Sequence, residues 1–213
     1  MIWLTSDAHF YHGNILKHSR NNLLNEIELS CLRNKEKFKV SDDSVQKMNS
    51  LLIDNINRFV KHEDELMHLG DFLVFYAKKG TFKELYRTRF KEITDRINCK
   101  NVFHIKGNHD FFDLLDNVQS KDVEMLSTKH GKLWLSHYAH SVWPDMNKNV
   151  GHCYGHSHSN AEEKLDSLFS QRKSIDVGFD NAFRLFGEYR PFSIKEVFEM
   201  FNNRKGFSLD HHG

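Results

Sequence analysis

The chain has 213 residues, enough to bury a substantial core without disulfides or a structural metal, and within the size that one α/β or all-β domain can reach. Its 30 Lys and Arg residues nearly balance its 29 Asp and Glu residues, for a formal net charge of +1. That balance argues against a general polyanion binder and against long duplex nucleic acid as a partner, because such binding needs many cations to neutralise phosphates. Hydrophobic residues make up 39% of the chain, which is typical of a globular domain rather than a disordered one.

The three cysteines, Cys31, Cys99 and Cys153, are odd in number and far apart, which predicts reduced thiols rather than a disulfide framework. No apolar run approaches the roughly 20 residues that span a bilayer. Residues 1–4 lead directly into polar Thr5, so no signal peptide is expected. We therefore expect a soluble, cytoplasmic protein with no membrane partner.

Apolar patterns predict strands and helices that alternate early in the chain, with strands crowded late. Predicted strands are residues 2–5, 66–69, 101–105 and 133–135, one that ends near 155, and 174–179. Predicted helices are residues 45–59, from apolar positions three and four apart, and helices that begin at Thr81 and Ser193 with the capping-box partners Glu84 and Glu196. Alternation of this kind favours an α/β fold with at least one mixed sheet.

One domain, residues 1–213, is the expected organisation, because no linker or internal repeat divides the chain. Residues 10–43 are polar with a broken apolar pattern, and we interpret them as short helical turns and loop, a lid or substrate-shaping insertion at a site entrance. Residues 210–213 are expected to form a mobile tail.

Polar side chains follow the predicted strands at the points where they end. In chain order these are Asp7 and His9, Gly70 and Asp71, Gly107 to Asp110, His137, and Gly155 to His158. Ligands of open α/β sheets bind beyond the carboxyl ends of the strands, so we expect these side chains to meet in one crevice. Asp7 and His9 are two residues apart, as are His156 and His158, which in extended chain points each pair to one face.

Carboxylates and imidazoles together suit Mn, Fe, Zn or Ni better than Ca or Mg, which prefer oxygen ligands alone. Seven candidate ligands exceed the four of a structural zinc site. The sequence therefore predicts two divalent transition metal ions that share a bridging carboxylate.

The five ordered blocks resemble the signature of the calcineurin-like metallophosphoesterase superfamily, which reads D-x-H, G-D, G-N-H-D/E, H and G-H-x-H. Residues 5–14, 136–143, 177–180 and 189–193 are similar to the small bacterial and phage members in particular. The resemblance implies an α/β fold of two mixed β-sheets packed face to face and flanked by helices. The sequence departs from the family's pattern at Ala139, because family members often have proline directly after the His-Tyr pair.

The resemblance also implies a role for each matching residue. Ligands of the first ion would be Asp7, His9 and His158, those of the second would be Asn108, His137 and His156, and Asp71 would bridge both. Manganese is the preferred ion, with iron, zinc or nickel as alternatives. In this family a metal-bound hydroxide attacks phosphorus in line, while His109 would serve as the acid at the leaving group and Asp110 would orient its ring.

Other polar residues carry weaker expectations. His12 and Asn14 are candidate substrate contacts, although loop hydrogen bonds explain them equally well. Solvation at the surface is expected for Arg20, Arg33 and Arg190. Structural or surface positions are expected for His62, His68, His104, His130, His211 and His212. Core packing, rather than stacking on a nucleobase, is expected for Phe10, Tyr138 and Trp143.

The predicted function is hydrolysis of a phosphodiester, in preference to a phosphomonoester, on a small nucleotide-like substrate. A phosphoprotein phosphatase is the enzymatic alternative, and a nuclease of short oligonucleotides remains open. A non-catalytic scaffold of the same fold that binds a partner protein is disfavoured, because all seven ligands and His109 are present. If the chain is phage-encoded, its compartment would be the host cytoplasm.

Overall fold

The computed structural model of this chain describes residues 1–206 and 209, and it contains two mixed sheets. The first sheet comprises β1 (Ile2–Thr5), β2 (Glu65–Leu69), β3 (Asn101–Ile105), β4 (Ser120–Lys121) and β9 (Phe192–Ser193), in the order β4-β3-β2-β1-β9. The second comprises β5 (Val123–Thr128), β6 (Gly131–Ser136), β7 (Gly151–Tyr154) and β8 (Ser174–Asp176), in that order. Among the described residues, only β9 in the first sheet and β5 in the second pair antiparallel to their neighbours. The expected mobile tail, residues 210–213, lies outside the described residues.

Six helices are found among the described residues. They are α1 (Glu26–Arg33), α2 (Asp42–Phe59), α3 (Phe82–Thr94), α4 (Glu162–Leu168), α5 (Phe179–Phe186) and α6 (Ile194–Asn202). In residues 1–206 and 209, no helix combines the length and the apolar character that crossing a membrane requires.

Side-chain alternation along β2 divides its apolar side chains between two of the hydrophobic cores. On β2, Met67 and Leu69 pack with Leu133 and Leu135 of β6, so the two sheets lie face to face. Leu66, on the opposite face of β2, packs with residues of α2 and α3. The architecture is therefore α/β, with two mixed sheets flanked by helices, and the prediction of the fold class is confirmed.

The capping signals are confirmed at one site and wrong at another. Ser193 and Glu196 form a reciprocal capping box at the start of α6. At α3 the helix does begin after Thr81, but the box does not form. The Thr81 backbone is helical (φ −103°, ψ −4°) instead of extended, and its hydroxyl donates to the carbonyl of Lys78 at 3.0 Å.

The predicted late strand is shorter than expected, because Phe179 already begins α5. Residues 10–43 hold two 3-10 turns, Gly13–Lys17 and Asn21–Leu23, as well as α1. Leu16 and Leu23 are buried in the core around α2, so part of this segment is structural. Its role as a lid stays a prediction.

Candidate metal centre

The candidate site lies beyond the carboxyl ends of parallel strands from both sheets. Asp7, Asp71 and Asn108 follow β1, β2 and β3 of the first sheet, while His137 and His156 follow β6 and β7 of the second. Several hydrogen bonds connect the loops. Among them, the hydroxyl of Ser6 donates to the carbonyl of Leu69 at 2.8 Å, and the N–H of Gly155 donates to the carbonyl of His137 at 3.0 Å.

The polar side chains form two adjoining clusters, and within each cluster the three ligand atoms lie within 4.8 Å of one another. The first consists of Asp7, His9 and His158, and the second of Asp71, His137 and His156. Oδ2 of Asp71 lies 3.5 Å from Nε2 of His9 and 3.6 Å from Nε2 of His137, so this oxygen stands between the clusters. Oδ1 of Asn108 lies 3.1 Å from Nε2 of His137, which places the amide beside the second cluster. The structure thus brings all seven predicted ligands together.

The donor atoms suit divalent cations. Oδ1 of Asp7 and Nε2 of His9 are buried, 3.8 Å apart, and neither has a hydrogen-bond partner among the described residues. Burial opposes charge on the His137 imidazole, yet the carboxylates of Asp71 and Asp7 outweigh it and raise its pKa to about 9. The cluster therefore attracts positive charge. Oxygen and imidazole ligands without thiolate fit transition metal ions, and two candidate metal-binding clusters are present.

Five of the seven candidate ligands have left-handed backbone conformations. They are Asp7 (φ 54°), His9 (φ 48°), Asp71 (φ 56°), His156 (φ 66°) and His158 (φ 48°). Such conformations cost about 1 kcal/mol or more for residues with a side chain, and they cluster at functional sites. The expectation that the paired ligands share a face because the chain is extended is therefore wrong. Sharp left-handed turns direct them into the crevice.

Asp110 does not orient the His109 ring, contrary to the role that the resemblance implies. Its buried carboxylate accepts hydrogen bonds from the backbone N–H groups of Asp71 (2.8 Å), Gly107 (2.9 Å) and Phe72 (2.9 Å). No bond joins it to the His109 imidazole among the described residues. Burial raises the pKa of Asp110 to about 6. His109 is held instead through its backbone N–H, which donates to Oδ1 of Asp71 at 2.9 Å.

Asp176, which the sequence did not single out, supports the last ligand loop. Its carboxylate accepts from the Ser157 hydroxyl (2.9 Å) and from the N–H groups of Ser159 (3.0 Å) and Gly178 (2.7 Å). Burial, together with the charge of Asp7, raises the pKa of Asp176 to about 7. The available signal was a carboxylate at the end of an apolar late strand, the same pattern that marked the other ligand loops.

These motifs require glycine because atoms of a neighbouring loop lie where a Cβ atom would be. A Cβ on Gly155 would overlap the hydroxyl of Ser6 and Oδ2 of Asp7. That same Oδ2 accepts the backbone N–H of His156 at 2.9 Å. A Cβ on Gly107 would overlap both the backbone nitrogen and the carboxylate of Asp71. The loops can therefore pack closely enough to gather the ligands only because these positions carry no side chain.

The remaining candidates border the centre differently. The His109 ring is exposed, and its centroid lies 5.8 Å from that of His9. Nδ1 of His12 lies 2.9 Å from Nδ1 of His9, so His12 touches a candidate ligand directly. Asn14 is exposed, and its contact with a substrate stays a prediction. The exposed Tyr138 donates through its hydroxyl to Oδ1 of Asn108 at 3.2 Å, and the core position expected for this tyrosine is wrong.

Two arginines are also placed differently from expectation. Arg20 is fully buried, and Arg190 is buried with its guanidinium 2.7 Å from Glu196, so surface solvation is wrong for both. Arg33 is exposed as expected. Phe10 and Trp143 are buried, which confirms their assignment to the core.

Comparison with known proteins finds similarities in sequence and in fold. No protein-family model matches the chain. An uncharacterized protein of Methanocaldococcus jannaschii is 26% identical over 204 residues, which cover 96% of this chain and 93% of that protein. The crystal structure of a protein of unknown function from Aquifex aeolicus superposes with a TM-score of 0.57 at 20% identity, covering 94% of this chain and 98% of that one. The latter match shows a shared fold.

Two further solved structures match more loosely. A single mutant of Vps29 from Entamoeba histolytica has a TM-score of 0.34 at 15% identity, covering 74% of this chain and 64% of that one. A conserved uncharacterized protein from Streptococcus pneumoniae, described as a predicted phosphoesterase, has a TM-score of 0.31 at 15% identity, with 74% and 62% covered. At these scores neither match bears on the function of this chain.

Proposed function

We propose that this chain is a dinuclear metal-dependent phosphoesterase, similar to the calcineurin-like metallophosphoesterases, that hydrolyses a phosphodiester in preference to a phosphomonoester. The observation that carries the proposal is the position of Asp71, whose Oδ2 atom stands within 3.6 Å of an imidazole nitrogen from each cluster. A carboxylate between two imidazole-rich clusters suits a pair of ions. Manganese is the preferred ion, with iron, zinc or nickel as alternatives.

The side chains divide between two ions. Asp7, His9 and His158 would hold the first, Asn108, His137 and His156 would hold the second, and Asp71 would serve both. Divalent ions, when bound, supply Lewis acidity that stabilises charge on phosphoryl oxygens and lowers the pKa of water. Asn108 is a neutral ligand, so it adds no charge that would repel the phosphate.

His109 is the proposed proton donor to the leaving-group oxygen. Its imidazole is exposed at the mouth of the site, beside His9, while its backbone N–H is fixed to Oδ1 of Asp71. A ring nitrogen of His109 can therefore approach a phosphate bound at the clusters without leaving its loop. A positioned acid of this kind contributes about 10²–10⁴-fold to the rate.

A small, nucleotide-like substrate agrees with the charge and openness of the site. The net charge of +1 gives no support for long duplex nucleic acid. Asn108, His109 and His156 are exposed, so a small ester can reach the clusters from solvent. The exposed ring of Tyr138 lies 4.5 Å from the His156 ring and offers a flat face beside the phosphate position.

The test is hydrolysis of bis-p-nitrophenyl phosphate compared with p-nitrophenyl phosphate. Metal-stripped protein would receive Mn, Ni, Zn, Fe or Mg in turn, alongside Asp71→Asn, His109→Ala and, as a matched control, the exposed His62→Ala. We expect metal-dependent release of nitrophenol, faster from the diester, with activity lost in Asp71→Asn, at least 100-fold lower in His109→Ala and unchanged in the control. Absence of turnover with every ion would overturn the proposal, and absence of metal binding as well would favour the scaffold alternative.

A further inference from the structure

Arg20 is a fully buried cation that contacts the backbone of the first cluster. Its Nη2 donates to the backbone carbonyl of Asp7 at 2.5 Å, and its Nη1 donates to the carbonyl of Ala8 at 2.9 Å. Both carbonyls belong to the left-handed turn that presents Asp7 and His9. A bulky, charged side chain with 0% exposure in a surface-like polar segment requires specific partners, and these carbonyls are two of them.

Asp180 connects Arg20 to the other end of the same cluster. Its Oδ1 accepts from Nε of Arg20 at 3.1 Å, and its Oδ2 accepts from Nη2 of Arg20 at 2.9 Å. The same Oδ2 lies 2.7 Å from Nδ1 of His158. A carboxylate that accepts the Nδ1–H of an imidazole fixes the tautomer in which Nε2 is free to bind a metal.

We propose that Arg20 and Asp180 are positioning residues that assemble the first metal subsite, made of Asp7, His9 and His158. Arg20 sets the Asp7 turn through backbone carbonyls, and Asp180 sets the rotamer and tautomer of His158. The proposal rests on the metal centre of the proposed function, but its test measures ion binding and not turnover.

Substitution of Arg20 or Asp180 should weaken ion binding at only one of the two subsites. His137, in the second cluster, is oriented by a different group, because its Nδ1 lies 2.8 Å from the carbonyl of Leu69. No hydrogen bond joins Arg20 or Asp180 to the second cluster within the described part of the chain. Loss of either residue should therefore weaken the binding of one ion and leave the other.

The experiment is calorimetric titration of metal-stripped protein with Mn²⁺, with variants Asp180→Asn and Arg20→Lys. Arg190→Lys is the matched control, because Arg190 is also buried in a carboxylate pair but touches none of the ligands. Wild type and the control should bind two ions. Both test variants should keep one ion at the wild-type affinity and bind the other 10- to 100-fold more weakly.

Unchanged affinity for both ions in the folded test variants would overturn the proposal, as would equal weakening of both. If wild type binds no ion, the metal centre of the proposed function fails and this proposal fails with it. A second measurement needs no variant: ¹⁵N NMR of the Zn²⁺-loaded wild-type protein should show His158 protonated at Nδ1. A proton on Nε2 would overturn the role of Asp180.

Discussion

The backbone N–H of Asp71 donates a 2.8 Å hydrogen bond to the carboxylate of Asp110. Because the same carboxylate also accepts from Gly107 and Phe72, Asp110 braces the loop after β2 against the loop after β3. The motif suggests Asp110 as the partner of the proposed acid His109. In the structure Asp110 instead supports Asp71, the carboxylate between the two clusters.

Asp110→Asn should reduce stability, whereas His109→Ala should not. The amide can no longer accept from all three N–H groups, and a buried N–H without a partner costs about 1–3 kcal/mol. His109 is exposed, so its removal should change the free energy of unfolding by less than about 0.5 kcal/mol. Urea unfolding of the metal-stripped proteins measures both. Wild-type stability in Asp110→Asn, with activity alone reduced, would return Asp110 to the role of partner to His109.

Metal binding should raise the thermal stability of the wild-type protein. Each ion at 100 times its Kd contributes about 2.7 kcal/mol, which in a chain of this size corresponds to a rise in Tm of at least about 5 °C. In Asp71→Asn the rise should be half as large or less, because the oxygen between the clusters is lost. Scanning calorimetry with and without Mn²⁺ measures the difference. An equal rise with Ca²⁺ would contradict the ligand chemistry.

Gly155→Ala should disrupt the site far more than Gly187→Ala. The added methyl group at Gly155 would overlap Ser6 and Asp7, so the loops must separate, and we expect a loss of at least about 2 kcal/mol together with loss of Mn²⁺ binding. Gly187 has a φ of 71° but nothing within 4 Å of the new methyl group, so its substitution should cost only about 1 kcal/mol. Thermal unfolding and calorimetric titration of both variants test the contrast. Full metal binding by Gly155→Ala would be inconsistent with the packed loops.

Buried His104 should make the protein less stable in acid. Burial lowers its pKa from 6.5 to about 4, so as the pH falls the unfolded chain takes up a proton before the folded one. Stability should therefore fall from about pH 7 to about pH 4, by about 3 kcal/mol from this residue.

His104→Phe should flatten this dependence. Nδ1 of His104 has no partner among the described residues, and the ring packs 4.7 Å from that of Phe112, so phenylalanine suits the position. Urea unfolding at pH 7, 5.5 and 4 measures the change, with the exposed His62→Gln as the control. An unaltered pH profile in His104→Phe would show that burial does not lower the pKa of His104, because a histidine that binds protons equally well in the folded and unfolded chain contributes no pH dependence.

The sequence predicted the parts of this structure that local pattern determines. Apolar steps of three and four gave α2, and the capping box of Ser193 gave the start of α6. The ordered motifs gave a single crevice, because strands that pair in parallel end at one edge of a sheet.

Features that depend on distant parts of the chain could not be read from local pattern. Burial of Arg20 depends on Asp180, which lies 160 residues away, and neither neighbourhood signals the other. The task of Asp110 depends on three backbone N–H groups from two loops, so its position beside His109 in the sequence is misleading. The failed cap at Thr81 is a matter of two backbone angles, which residue type does not determine.

Strand β1 occupies an interior position in the first sheet. β1 pairs with β2 on one side and with β9 on the other, where Trp3 is opposite Ser193. A chain still leaving the ribosome therefore holds β1 with one unpaired edge until translation has passed Ser193. Until residues 156–180 emerge, it also lacks His156, His158 and the carboxylate that positions the latter. The proposed first metal subsite, which combines Asp7 and His9 with His158, can therefore be completed only after residues 156–180 have been synthesised.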